Sequence, residues 1–368
     1  MNPTIPKLKI GNFEATIPII QGGMSIGISL SGLASAVANE GGIGVIGSAG
    51  IGMLEPDFVK NVSAANKRAL QNEIRNAKKL TKGIIGVNIL VALSDCDELV
   101  LAAIDENVDL IFLGAGLPLK NPKNMPPDRL TKALAKIIPI VSSARSAHII
   151  FQYWAEHYKS VPNAVVVEGP LAGGHLGFKR ENIDNPTYAL EQLVPEVVSA
   201  IKPFEKQFNK NIPVVAAGGI YTGTDIYKIM KLGADGVQMA TRFVATHECD
   251  ASLAFRQKYL KCEKKDIGII DSPVGLPGRA IINQFLENVS KKMNNPLVCP
   301  WKCLRTCNFR KAPYCIALAL TKAKLGNNKE GFCFAGANAY RVDKIISVKE
   351  LIDSLLAEYK KASSLSPA

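Results

Sequence analysis

Eight short apolar runs recur along the first two thirds of the chain, and they constrain its fold more than any other feature. Each run is too short for a helix, and most end at Gly, Asn or Ser, as buried strands do. A strand that is continuously apolar rather than alternating indicates a parallel sheet buried on both faces. The runs are Ile17–Ile20, Ile43–Ile46, Ile84–Val87, Leu110–Leu113, Ile138–Val141, Ala164–Val167, Val214–Ala217 and Gly236–Met239.

Helical patterns fill the intervals between these runs. Strand and helix therefore alternate, and eight such units predict a closed (β/α)8 TIM barrel of the α/β class, with its chemistry in the loops after the strands. A doubly wound open sheet is the alternative, but it would gather functional residues at a single switch point. The predicted helices are Leu33–Glu40, Glu98–Glu106, Arg129–Lys136, Ala147–Tyr158, Leu190–Ile201 and Asp225–Leu232.

The pattern changes after the eighth run. Residues 1–249 are predicted to form the barrel, and residues 250–335 to form a mixed helix and loop subdomain on its mouth. Residues 336–368 follow as a closing segment, in which Val348–Lys361 has the pattern of an amphipathic helix.

Glycines directly follow the seventh strand and recur around the eighth. The two segments are Val214-Val-Ala-Ala-Gly-Gly-Ile220 and Leu232-Gly-Ala-Asp-Gly-Val-Gln-Met-Ala-Thr-Arg-Phe243. Glycine lets the backbone approach a phosphate, and the amides at a following helix start point towards it. Because TIM barrels commonly hold phosphate after strands seven and eight, the pair predicts a phosphate-bearing ligand.

His175 is the histidine that the pattern favours for catalysis. It lies in the glycine-dense segment Val167-Glu-Gly-Pro-Leu-Ala-Gly-Gly-His-Leu-Gly177, after the sixth strand. A titratable imidazole there could hydrogen-bond a substrate or move a proton near neutral pH. The alternative is a loop histidine that only caps local backbone, and packing or solvent exposure explains His148, His157 and His247 better.

Composition and charge exclude several classes of protein. The chain has 368 residues, of which 47% are apolar, and a net charge of +12. Its lysines are scattered rather than gathered in an arginine-rich stripe, so we expect no nucleic-acid binding. The charge is compatible with a solvated basic surface and with attraction of acidic partners such as a phosphorylated cofactor or an acidic carrier protein, and it does not choose between them. No apolar stretch approaches the roughly 18 residues that cross a bilayer, and no signal peptide is recognisable, so we expect a cytoplasmic protein without membrane contact.

Four of the eight cysteines crowd one short segment. Without a secretory signal, disulfides are not expected. Four thiols at this density suggest a metal site, and an iron–sulfur cluster is the preferred interpretation. The spacing matches neither zinc-ribbon pairs nor the common ferredoxin run, so zinc and unligated thiols stay open as alternatives. The predicted ligands are Cys299, Cys303, Cys307 and Cys315.

The ordered motifs resemble the nitronate monooxygenase superfamily. They are Pro18-Ile-Ile-Gln-Gly-Gly-Met24, Gly41-Gly-Ile-Gly-Val-Ile-Gly47, Gly86-Val-Asn-Ile89, Gly114-Ala-Gly116, Glu168-Gly169 with Ala172-Gly-Gly-His-Leu-Gly177, Ala216-Ala-Gly-Gly-Ile220 and Gly236-Val-Gln-Met-Ala-Thr-Arg-Phe243. Within that superfamily they are most similar to the flavin-dependent enoyl-acyl-carrier-protein reductases. Two positions depart from the usual pattern, since Leu171 stands where an acidic residue is usual and Ala240 where Gly is usual.

The resemblance implies an FMN-dependent oxidoreductase and assigns roles to individual residues. Gly22, Gly23, Met24 and Asn88 would line the isoalloxazine ring, with Glu168, Gly173 and Gly174 close by. The phosphate of FMN would be held at Gly218, Gly219, Ala240 and Thr241. His175 would be the acid/base or the group that orients the substrate.

Three functions follow as alternatives. The first is reduction of an activated, enoyl-type double bond by NAD(P)H through FMN, on a small-molecule or acyl-carrier-linked substrate. The second is oxidation of alkyl nitronates with O2 by a nitronate monooxygenase. The third is a non-redox, phosphate-binding TIM barrel. A homodimer is a further expectation.

Overall fold

The structure is a computed structural model that describes residues 5–120, 122, 129–291, 299, 301–305, 307, 308 and 310–365, with the backbone alone at residues 130 and 131. The remaining residues include 292–298, 300, 306 and 309 of the second predicted domain and 366–368 of the third. In the described part of the chain, no helix is both long and apolar enough to cross a membrane.

The eight predicted strands close into a parallel barrel. In strand order the barrel runs β3-β4-β5-β6-β7-β8-β10-β11, and β11 pairs with β3 through Val237 opposite Ile19. In chain order the strands are β1 (Leu8–Ile10), β2 (Phe13–Ala15), β3 (Ile19–Gln21), β4 (Ile43–Gly47), β5 (Ile84–Leu90), β6 (Leu110–Gly114), β7 (Lys136–Val141), β8 (Val165–Glu168), β9 (Gly174–His175), β10 (Val214–Ala217), β11 (Gly236–Met239), β12 (Ile267–Asp271), β13 (Pro277–Ile281) and β14 (Cys333–Phe334).

Helices follow the barrel strands and form an outer layer. All six helices predicted between the barrel strands begin within three residues of the observed start, and the helix after β8 is longer than predicted. In chain order the described α-helices are α1 (Ser31–Asn39), α2 (Val62–Leu80), α3 (Cys96–Asp105), α4 (Arg129–Lys132), α5 (Ala144–Tyr158), α6 (Leu190–Phe208), α7 (Gly223–Lys231), α8 (Thr241–Val244), α9 (Leu253–Leu260), α10 (Gln284–Ser290), α11 (Ile316–Lys324) and α12 (Val348–Leu365). Of these, α9, α10 and α11 lie in the subdomain.

The predicted helix Arg129–Lys136 is too long. The helix ends at Lys132, and Lys136 instead begins β7, where its N–H donates to the carbonyl oxygen of Asp109 at 2.8 Å. Pairing with the neighbouring strand β6 therefore determines where the helix ends and β7 begins. Helical periodicity in the sequence could not locate that boundary.

Two apolar layers explain why the strands are continuously apolar. Ile19 packs outwards into the layer between barrel and helices, whereas the next residue, Ile20, packs into the barrel interior. Phe112, Val166 and Val215 fill the same interior. Because successive side chains of a strand point to opposite faces, and both faces are buried, no polar alternation appears in the sequence.

The chain leaves the barrel after β11 and returns at α12. This last helix packs against α7 and α1, and Glu358 Oε2 accepts a hydrogen bond from the N–H of Gly223 at the start of α7. The predicted closing helix is thus the one that follows the eighth barrel strand in the outer ring.

The subdomain between β11 and α12 contains a sheet that the sequence did not indicate. We expected helix and loop, but β12, β13 and β14 form an antiparallel sheet, and β9 of the barrel loop pairs with β13. These strands are only two to five residues long, and periodicity is weak over so few residues.

Candidate active site

A large cavity lies at the carboxyl ends of the barrel strands, beneath the subdomain. Its volume is about 690 Å³, within the range of cofactor and small-molecule sites. Each residue predicted to bind the flavin, and the predicted catalytic histidine, lines this cavity: Gly22, Gly23, Met24, Asn88, Glu168, Gly173, Gly174, His175, Gly218, Gly219, Ala240 and Thr241. The barrel therefore brings residues from five of its strands into one site.

Two consecutive glycines after β10 form a cradle on one wall. Gly218 and Gly219 have φ of +93° and +89°, a conformation that side chains rarely adopt. A Cβ on Gly218 would lie 2.8 Å from the carbonyl oxygen of Gly169. The side chain of Asn338 donates to the carbonyl oxygen of Gly219 at 2.6 Å, which holds the turn. Glycine turns of this kind leave amides free for a phosphate, so the residues present fit the phosphate end of FMN.

Small residues line another part of the cavity, after β3 and within β5. The N–H of Gly22 donates to the carbonyl oxygen of Met239 at 2.8 Å, which ties this loop to β11. The N–H of Met24 donates to Ser29 Oγ at 2.7 Å. Asn88 is buried at 7% exposure. A wall of glycine and one amide side chain can accept a flat ring with hydrogen-bonding edges, which is what the isoalloxazine requires.

Glu168 ends β8 with its carboxyl group on the cavity. Burial raises the pKa of this carboxyl to about 7. In the described part of the chain no side chain forms an ion pair or hydrogen bond with it. An unpaired carboxyl with a pKa near neutrality can either donate or accept a hydrogen bond, so it suits contact with a bound flavin.

His175 is held by the subdomain rather than by the barrel. It lies in β9, where it pairs with Gly278 of β13, and its Nε2 is 2.8 Å from Ser272 Oγ. The ring of Phe334 packs edge-on against it at 5.0 Å between centroids. Burial lowers the pKa of His175 to about 4, so the imidazole is neutral at neutral pH. The expectation that it titrates near neutral pH differs from the structure, because the sequence alone did not reveal this burial.

Arg279 fixes the loop that carries His175. The guanidinium is buried and donates to the carbonyl oxygens of Pro170 at 2.8 Å and Ala172 at 3.2 Å. Guanidinium stays protonated in proteins even where burial lowers its pKa, as it does here. The loop between β8 and β9 therefore takes its shape from β13 of the subdomain.

The four predicted metal ligands are close to one another, but they do not surround a single ion. Burial, followed by the thiols of Cys315, Cys299 and Cys307, raises the pKa of Cys303 to about 12. Cys303 lines the cavity. Among the described residues, no group of three or more His, Cys, Asp or Glu side chains is arranged to hold a metal ion. The metal site stays a prediction.

Of the two departures from the family pattern, Leu171 has the clearer consequence. Its side chain is 45% exposed and lines the cavity beside the glycine cradle, where a Cβ on Gly219 would lie 3.0 Å from it. An apolar group thus takes the place of the acidic one. Ala240 lines the cavity, and its carbonyl oxygen accepts hydrogen bonds from the N–H groups of Phe243 and Val244 in α8.

Sequence reasoning missed the residues that support the site. Ser272 and Arg279 contact the loop that carries His175, and Asn338 contacts the glycine cradle. Each lies 97 to 119 residues after its partner in the chain. No local motif marks them, because each is defined by what the folded subdomain places next to the barrel.

A closed parallel barrel with a glycine cradle after its seventh strand and an imidazole after its sixth is typical of a phosphate-cofactor enzyme of the TIM-barrel type. The model of the family "Nitronate monooxygenase" matches residues 7–358. The chain belongs to this family and is an FMN-dependent oxidoreductase. A non-redox barrel, the third alternative above, is therefore wrong.

Individual relatives cover nearly the whole chain. A probable nitronate monooxygenase of Bacillus subtilis is 26% identical over 94% of this chain and 97% of that protein. Among solved structures, FabK from Thermotoga maritima is 28% identical, with a TM-score of 0.73 over 95% of this chain and 94% of that one. A nitroalkane oxidase from Streptomyces ansochromogenes has a TM-score of 0.72, but at 22% identity it demonstrates the fold alone.

Proposed function

We propose that the protein is an FMN-dependent enoyl reductase that uses NAD(P)H as its cosubstrate. The observation that carries this proposal is the apolar end of the cavity, away from the glycine cradle. Met53, Phe58, Leu304 and Leu320 line it. An alkyl nitronate is small, whereas an enoyl thioester brings an acyl chain, and an apolar extension of the site gives such a chain a place to bind.

The likeness to FabK, an enoyl reductase, supports the same choice. FMN, when bound, supplies the hydride chemistry. Gly218 and Gly219 would hold the phosphate of FMN, and Glu168 would contact the flavin. His175 would orient the substrate carbonyl group. A neutral imidazole suits the last role, because it can donate a hydrogen bond without carrying charge into an apolar cavity.

The net charge of +12 supports an acidic partner. We therefore infer that the acyl chain arrives on an acyl-carrier protein, and that a small-molecule thioester is an adequate substitute for it. Homodimer formation stays a proposal.

Nitronate monooxygenase is the second candidate, and the relatives from Bacillus subtilis and Staphylococcus aureus, which are probable nitronate monooxygenases, favour it. The two reactions are separable under anaerobic conditions. An enoyl reductase should have its flavin bleached by NADH or NADPH and restored by a trans-2-enoyl thioester. A nitronate monooxygenase should be bleached by an alkyl nitronate and restored by O2.

A variant sharpens the test of substrate class. Leu320→Trp should fill the apolar end and raise KM for a long-chain enoyl thioester, while KM for a short-chain thioester stays near the wild-type value. Leu325→Trp is a matched control, because Leu325 follows the same helix and is 58% exposed. Equal effects on both chain lengths would contradict an acyl site at this end.

For the cysteine segment we propose an iron–sulfur cluster rather than zinc. A tetrahedral zinc site with bonds of about 2.3 Å draws its sulfurs close around one point, and the described residues offer no such group. A cluster of several irons needs wider spacing. Trp301 Nε1 and Tyr314 OH are buried here without a hydrogen-bond partner, and sulfur atoms of a cluster would accept from them. Iron, sulfide and zinc contents of anaerobically purified protein test this, and stoichiometric zinc without sulfide contradicts it.

A further inference from the structure

The contacts of His175 point to a residue of the subdomain that selects its tautomer. Nε2 is 2.8 Å from Ser272 Oγ, and no described residue pairs with Nδ1. His175 lines the cavity. Because Nε2 is engaged by protein, Nδ1 is the nitrogen left for a ligand, and its protonation decides whether the imidazole donates or accepts there.

The hydrogen bonds of Ser272 indicate which nitrogen carries the proton. Ser272 begins the turn between β12 and β13, where its N–H donates to Leu276 O and its carbonyl oxygen accepts from the N–H of Gly275. Its Oγ accepts a long hydrogen bond from the N–H of Val274 at 3.4 Å. What remains is the hydroxyl hydrogen, and His175 Nε2 is the acceptor within its reach among the described residues.

The opposite arrangement would leave a buried group unsatisfied. If Nε2–H donated to Ser272 Oγ, the hydroxyl hydrogen would have no described acceptor, although Ser272 is only 7% exposed. Buried polar hydrogens without a partner are rare and costly. When the serine hydroxyl donates and Nε2 accepts, Ser272 and Nε2 are both paired, and Nδ1–H is the donor left for a ligand in the cavity that His175 lines.

We propose that Ser272 is a positioning residue, which keeps His175 in the Nδ1–H tautomer so that Nδ1–H is the donor offered to a substrate carbonyl oxygen. The part concerning substrate rests on the proposed enoyl reductase function, whereas the tautomer does not. Phe334 packs against the imidazole, and the backbone of His175 pairs with Gly278. Because these contacts already hold the ring, the main role of Ser272 is to determine which ring nitrogen is protonated.

The direct test is long-range ¹H–¹⁵N NMR of the imidazoles at neutral pH. The chain has four histidines, and His175→Gln identifies the signal by its loss. In wild type the Nε2 resonance should be that of an unprotonated nitrogen and Nδ1 that of a protonated one. Ser272→Thr, which keeps the hydroxyl, should retain this pattern. Ser272→Ala should give the averaged shifts of two exchanging tautomers.

Kinetics supply the second readout. Ser272→Ala should lower kcat for enoyl reduction by about tenfold with KM and FMN content nearly unchanged, and Ser272→Thr should restore most of it. Ser290→Ala, an exposed serine of the same subdomain, is the control. A protonated Nε2 in wild type, or an unchanged spectrum in Ser272→Ala, overturns the proposal. If the spectra agree but no enoyl thioester is reduced, the proposed function fails and the tautomer assignment stands.

Discussion

Gly219→Ala tests whether the glycine cradle binds the phosphate of FMN. Gly219 has φ of +89°, and an added Cβ would lie 3.0 Å from Cβ and Cδ1 of Leu171. The left-handed conformation costs a non-glycine residue about 1 to 2 kcal/mol. The contact with Cδ1 is relieved when the 45% exposed side chain of Leu171 rotates, whereas the contact with Cβ requires the backbone of its loop to shift by a few tenths of an ångström. We expect the free energy of unfolding to fall by about 1 to 2 kcal/mol.

Gly219→Ala should also weaken FMN binding, by more than the loss of folding stability alone would explain. A methyl group at this position would keep the phosphate from the backbone amide, and a hydrogen bond to a charged group contributes about 1.5 to 3 kcal/mol. Kd for FMN should therefore rise by about tenfold to a hundredfold. Titration of apoprotein, followed by quenching of flavin fluorescence, measures Kd, and urea unfolding of the same sample measures stability.

Gly275→Ala is the matched control. Gly275 has a similar φ of +84°, but a Cβ there would meet no atom within 4 Å. The Gly275→Ala variant should lose a similar amount of folding free energy and keep the wild-type Kd for FMN. A wild-type Kd in Gly219→Ala, or equal weakening in both variants, would refute the assignment of the phosphate to this cradle.

Four further predictions concern His175, Arg279 and Cys303. His175→Ala should keep the fold and FMN content, but lower turnover by about 10²-fold in steady-state assays. Arg279→Met should lower the free energy of unfolding by about 2 kcal/mol in urea, because two buried carbonyl groups lose their donor. The folded pKa of His175, about 4, lies below its ordinary 6.5, so the unfolded chain binds the proton more tightly. Apoprotein stability relative to His175→Gln should therefore fall by about 1 to 3 kcal/mol as pH drops from 6.5 to 4 in urea titrations, and a constant difference would contradict the burial. Cys303→Ser should lower iron and sulfide content while FMN stays bound, and unchanged metal analysis would exclude it as a ligand.

Local sequence patterns were sufficient for the barrel and for the residues that its strand ends present. Ile19 and Ile20 illustrate why: each side of a barrel strand is buried, so the apolar run records the strand directly. Gly218 and Gly219 were recognisable for the same kind of reason, since a backbone at positive φ needs glycine whatever lies around it.

The surroundings of His175 were decided only by tertiary structure. Ser272, Arg279 and Phe334 come from a sheet of short strands that is folded against the barrel loop, and nothing in their own neighbourhoods marks them. The same packing buries His175 and keeps it neutral, although its sequence context suggested titration near neutral pH. Burial and hydrogen-bond partners depend on contacts between residues far apart in the chain, so they have no local signature that a periodicity or motif could carry.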